Sequence, residues 1–158
     1  MNTRLTALLL VVISVPLLIG ASTPSQSSRA PATPKHVKYY NQGVKAQNQK
    51  DYEGAVRLYQ KALRVKPDYP DALNNMGFSL RSIGKRYMDE AMQAYDKALK
   101  LKRNHEGALE YQGELYLWRG ELLKANENYQ RLRSVNSREA AKLKRHIDQV
   151  VGQAKQIR

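Results

Sequence analysis

The feature that most constrains this chain is that it repeats itself. Gly43, Gly77 and Gly113 stand 34 and 36 residues apart, while Ala55, Ala91 and Ala125, and likewise Tyr59, Tyr95 and Tyr129, stand 36 and 34 apart. One unit therefore occurs three times, with two extra residues in the middle copy between Gly77 and Ala91, around Gly84-Lys85-Arg86. A unit this short cannot bury its own apolar surface, so the copies must stack on their neighbours in a quasi-one-dimensional array.

Each unit holds two apolar stretches of helical period divided by a turn signal, which is Lys50-Asp51, then Gly84-Lys85-Arg86, then Gly120-Glu121. Each unit is thus a helical hairpin. In its second helix Ala55, Tyr59 and Ala62, like Ala91, Tyr95 and Ala98, are spaced to share one face. Small residues there let a neighbouring helix approach closely around an aromatic ring. The abundance of strong helix formers, with ten Tyr against one Phe and one Trp, agrees with an all-α chain.

At these residues the chain resembles the tetratricopeptide repeat family, whose unit of about 34 residues carries Gly, Ala, an aromatic, Ala and Pro in that order. The first unit, 36–69, matches with Gly43, Ala55, Tyr59, Ala62 and Pro67. The second, 70–105, keeps Gly77, Ala91, Tyr95 and Ala98 but has Arg103 where Pro belongs. The third, 106–139, keeps Gly113, Tyr116, Ala125 and Tyr129, with Leu132 and Ser137 in place of its last Ala and Pro. The resemblance implies a right-handed solenoid of three hairpins. A pentatricopeptide array, which reads RNA, has a slightly longer unit and no reason to reproduce this residue set.

The last hairpin of a solenoid needs a cover. A capping helix is expected at 140–158, because Ala140, Leu143, Ile147, Val150, Val151 and Ala154 form one apolar face opposite Lys142, Arg145 and Gln149.

In this family the first helices of the units line a concave binding face. Carried onto this sequence, the resemblance places Tyr40, Asn41, Val44 and Asn48 there from the first unit, with Gln47 beside them. The second unit supplies Asn74, Asn75, Phe78 and Arg81, and the third Tyr111, Glu114 and Trp118, with Glu110 and Leu117 beside them. Asparagine amides can both donate to and accept from a peptide backbone, and the aromatics offer flat apolar contact. The resemblance therefore implies a scaffold or adaptor that holds a peptide or protein segment. Some family members grip a terminal carboxylate with Lys, Asn and Arg side chains; only Asn75 corresponds here, since Tyr40, Val44, Gly107 and Tyr111 occupy the other positions. That grip is not carried over.

The amino terminus reads as a signal peptide, residues 1–21. Arg4 precedes an apolar run from Leu5 to Ile19, about 15 residues against the roughly 20 a spanning helix needs, and Ala21 offers a cleavage point. Residues 22–35, with Pro24, Pro31 and Pro34, read as a disordered linker. Export to a periplasm is the expected localisation, with secretion the alternative.

The formal charge of +13 creates a positive field, with basic side chains concentrated at Lys97–Arg103 and from Arg131 to Arg145. The bland reading is a solvated surface. The functional alternative is a module for polyanions, meaning an anionic membrane, an acidic wall polymer or nucleic acid, of which nucleic acid is the least expected. With no cysteine, disulfides, thiolate zinc sites and cysteine nucleophiles are excluded. His36, His105 and His146 are scattered, read as surface histidines, and show no metal-ligand spacing. No phosphate loop, nucleophile elbow or HExxH helix occurs, so no catalytic residue, cofactor or metal is expected, and oligomeric state is left open.

Overall fold

The computed structural model describes residues 32–156; the expected signal peptide and residues 22–31 of the expected linker lie outside the described residues. From Thr33 onward the chain forms one compact unit. Among the described residues seven α-helices follow one another: α1 (Lys35–Asn48), α2 (Tyr52–Val65), α3 (Pro70–Ile83), α4 (Met88–Leu101), α5 (Glu106–Trp118), α6 (Leu122–Ser134) and α7 (Arg138–Gln156). The inserted residues of the middle unit form a 3₁₀ turn, Lys85–Tyr87, whose Tyr87, with Met88 after it, packs on the core.

Local chemistry sets these boundaries. Asp51 accepts a hydrogen bond from the Gly54 amide at 2.9 Å and so caps α2, while Pro70 opens α3 at a position that needs no amide donor. Ser137 Oγ accepts from the Glu139 amide at 3.1 Å, which starts α7 at Arg138 rather than at residue 140. At the other end, α1 starts at Lys35, the last residue of the expected linker, with its Lys38 amide donating to the Pro34 carbonyl at 3.1 Å.

The hairpin turns of the first and third units share a left-handed residue. Gly120 takes φ 75°, and Lys50 takes φ 62° at the matching place in the first unit. In both, the next amide reaches back to close the helix end, Asp51 to the Ala46 carbonyl at 3.0 Å and Glu121 to the Tyr116 carbonyl at 2.8 Å. Glycine adopts this conformation freely; lysine does so against a steric penalty.

The core is three consecutive clusters rather than one. Ala46, Ala55 and Tyr59 form the first; Leu73, Leu80, Met92, Tyr95 and Leu115 belong to the second; Leu109, Ala125, Leu132, Leu143 and Ile147 belong to the third. Met76 packs against the first and second, and Leu99 and Tyr116 against the second and third. Where the third unit departs from the pattern, Leu132 is fully buried in the cluster that α7 completes. α7 packs on both α5 and α6, and its Ala140, Leu143 and Ile147 are buried as a cap requires. This is the all-α tetratricopeptide solenoid.

Two substitutions test the local rules. A methyl on Gly77 would sit 2.7 Å from Cε1 of the fully buried Tyr95 ring, so Gly77→Ala costs about 1–3 kcal/mol through overpacking. Lys50→Gly relieves a left-handed backbone and gains about 1 kcal/mol. Urea denaturation of the two variants against the parent chain checks both signs.

Candidate functional site

The curvature of the array identifies its inner face. α1 touches α3 and α3 touches α5, whereas α2, α4 and α6 do not meet one another, so the first helices form the tighter, concave layer. The expected binding residues lie on these three helices, some tied into the fold and some exposed.

At the first-unit end the polar groups are committed to one another. Tyr40 stacks on Tyr69 and Tyr59 at centroid distances of 4.9 and 5.8 Å, and its hydroxyl accepts from Asn75 Nδ2 at 3.1 Å. Asn74 Nδ2 donates to Asn75 Oδ1 at 3.0 Å, so both ends of the Asn75 amide are occupied. Gln47 Oε1 accepts from the Tyr59 hydroxyl at 3.1 Å and lies 3.1 Å from Ser79 Oγ. The Asn75–Tyr40 and Ser79–Gln47 bonds join the first unit to the second. Asn74, read above as a groove residue, is instead buried against Gly107, where an added methyl would meet its side chain at 3.3 Å. Val44 is half-buried in the first core cluster. Asn41 and Asn48 are exposed on α1 and available to a ligand.

Toward the third unit the face opens into a cavity of about 520 Å³ between α3, α5 and α7. Phe78, Arg81, Glu114, Leu117, Trp118, His146 and Val150 are among its lining residues. Arg81 forms an ion pair with Glu114 and lies over both the Phe78 and Tyr111 rings, 5.6 and 5.1 Å from their centroids. His146 Nδ1 approaches the other Glu114 oxygen at 2.9 Å. The charges at the cavity wall thus neutralise one another and leave an aromatic, largely apolar surface. Trp118 is 60% exposed, stabilised from one side by Lys85 at 5.4 Å from its ring.

Sequence reasoning missed the contribution of α7. His146 and Val150 line the cavity because capping the last hairpin brings α7 over the end of the concave face. Glu110, read above as part of the groove wall, is 4% exposed and lies under the same helix. Burial raises its carboxyl to about 8, and hydrogen bonding to Glu139 and the Glu139 charge push the same way; Lys142, 3.8 Å away, opposes them. Glu139 shifts downward, held chiefly by a hydrogen bond from Lys142. Of the two carboxyls, Glu110 is the one whose neutral form this site favours.

His105 corrects another expectation, since it is buried rather than a surface histidine. Its Nδ1 accepts from the Ala108 amide at 3.3 Å and its Nε2 lies 3.0 Å from Asp71 Oδ1, so it caps α5 and ties it to α3. The signal was present in its place immediately before a helix start, where an acceptor side chain is favoured.

Comparison with known proteins agrees with this fold. Residues 48–84 match the model of a TPR repeat and residues 70–105 that of a tetratricopeptide repeat. The first TPR domain of Spaghetti (RPAP3), bound to the HSP90 peptide SRMEEVD, is similar at TM-score 0.66 and 23% identity, over 75% of this chain and 94% of that one. The Sgt2 TPR domain from Aspergillus fumigatus is similar at TM-score 0.68 and 20% identity, over 78% of this chain and 83% of that one. Among curated sequences, the uncharacterised protein MJ0572 of Methanocaldococcus jannaschii is 38% identical over 47 residues, 30% of this chain and 55% of that protein's length. The chain thus spans about half the length of that relative. Residues 48–105 thus match tetratricopeptide repeats, and the fold of the chain is that of a tetratricopeptide-repeat domain.

The Glu110 pair generates a pH prediction. A carboxyl raised in the fold stabilises most at and below its unfolded value of 4.5, and that contribution is lost as pH rises through about 8. Glu110→Gln cannot ionise, so its stability relative to the parent rises steadily over this window. Urea midpoints of both proteins at stepped pH check the slope.

Proposed function

We propose that this protein is a non-catalytic adaptor that holds a segment of another protein against its concave face, with a large apolar side chain seated between α3, α5 and α7. The observation that carries this reading is the cavity of about 520 Å³ with the indole of Trp118 standing exposed at it. Exposed aromatic rings beside an apolar hollow are the anchors from which protein interfaces draw most of their binding energy. The family likeness supports the same coarse role, as the RPAP3 domain holds a peptide.

The mode of grip differs from capture of a terminal carboxylate. Arg81 is paired with Glu114, and Asn75 is spent between Tyr40 and Asn74, so neither is free for a carboxylate. Apolar contact with Phe78 and Trp118, with Asn41 and Asn48 holding the peptide backbone, is the grip we infer. The partner is met outside the cytoplasm in this reading, because the apolar run Leu5–Ile19 has the layout of a signal peptide ending at Ala21.

Two measurements test these proposals. Trp118→Ala, at an exposed position, leaves the fold intact and weakens capture of envelope partners by about tenfold or more; undiminished capture overturns the assignment of the face. Mass spectrometry of the protein recovered from its native cells shows Ser22 as the first residue, whereas an intact Met1 overturns export with cleavage.

A further inference from the structure

The outer side of the hairpins carries a second hollow. α2 and α4 do not touch, and between them, above α3, lies a cavity of about 620 Å³. Leu63, Met76 and Leu101 give it an apolar lining, and Arg64, Lys97 and Lys100 line it as well. Leu101 is 44% exposed. Among the described residues no carboxylate lies within ion-pair distance of these three cations. Asp68 is the one acid in the lining.

The next place along the array is built differently. There Asp96 of α4 accepts from Gln112 of α5 at 2.6 Å, and Asn128 of α6 donates to Gln112 at 3.0 Å and to the Leu109 carbonyl at 3.2 Å. A polar chain thus ties the second helices together across α5. By repeat register the equivalents of Asp96, Gln112 and Asn128 at the first place are Gln60, Met76 and Ala94. Met76, in place of the bridging Gln112, removes the polar tie and adds to the apolar lining, so the furrow depends on the residues and not on the fold alone.

We propose that this furrow receives an amphipathic helix of another protein, its apolar stripe against Leu63, Met76 and Leu101 and its flanks carrying Asp and Glu toward Arg64, Lys97 and Lys100. The furrow runs between two helices of 14 residues each, the setting for helix-in-groove recognition. Charge selects the occupant. A second copy of this chain, with a formal charge of +13 and a basic α7, is repelled by the cationic rim. The site is independent of the concave face, so both can be occupied at once.

The test uses a 14-residue helical peptide, the length of α2 and α4, with Leu on one face and Glu on its flanks, beside its counterpart with Lys for Glu. Titrated into the full chain, the acidic peptide shifts the methyl resonances of Leu63, Met76 and Leu101 and saturates below about 1 mM. The pair of changes Lys97→Glu and Lys100→Glu, both at exposed positions, weakens this binding by about tenfold or more, while Trp118→Ala leaves it unchanged. Failure to saturate, equal binding of the lysine counterpart, or shifts centred on the concave cavity overturn the proposal. So does displacement of the acidic peptide by dodecanoate at equal concentration, which makes the occupant a lipid chain, or a dimer of the parent chain that these changes dissolve.

Discussion

Close approach of helix to helix around a buried tyrosine is the constraint on which the rest of this structure depends. Gly43 and Gly77 have no side chain because the rings of Tyr59 and Tyr95 occupy that space, and Ala55, Ala62, Ala91 and Ala98 are fully buried on the same helices. Once each hairpin closes in this way, its remaining apolar face can be covered only by the next hairpin. The third unit shows what happens when the series stops. There Gly113 makes room for Leu143 of α7, so a residue of the cap fills the space that the hairpin's own tyrosine fills in the first two units.

Capping the array also creates its candidate site. A helix placed only to cover Leu109, Ala125 and Leu132 also carries His146 and Val150 to the edge of the concave face. Stability and binding therefore share one element. The buried Glu110 carboxyl beneath it, raised by burial and by Glu139, makes the same interface sensitive to pH.

Polar groups on the concave side divide by unit. In the first and second units Tyr40, Gln47, Asn75 and Ser79 are bonded to one another and serve as joints between hairpins. Toward the third unit the charged groups neutralise one another and the aromatics are left for a partner. A face that looks uniformly mixed in sequence is a rigid wall at one end and an apolar receptor at the other.

The fold was legible in the sequence because the constraints that make it are local and repeated. Glycine, alanine and tyrosine at fixed intervals, turn residues at Lys50, Gly84 and Gly120, and an apolar stripe after Arg138 each act within one hairpin or its neighbour. The site was legible only as a set of positions. Whether Asn74 faces solvent or Gly107, whether Arg81 is free or held by Glu114, and whether His105 is a surface residue or a buried cap depend on contacts between residues more than thirty positions apart. Such contacts leave no periodic trace. The sequence by itself determined the repeat, its helices and its stacking; the tertiary structure alone decided which polar groups satisfy one another and where an apolar hollow remains.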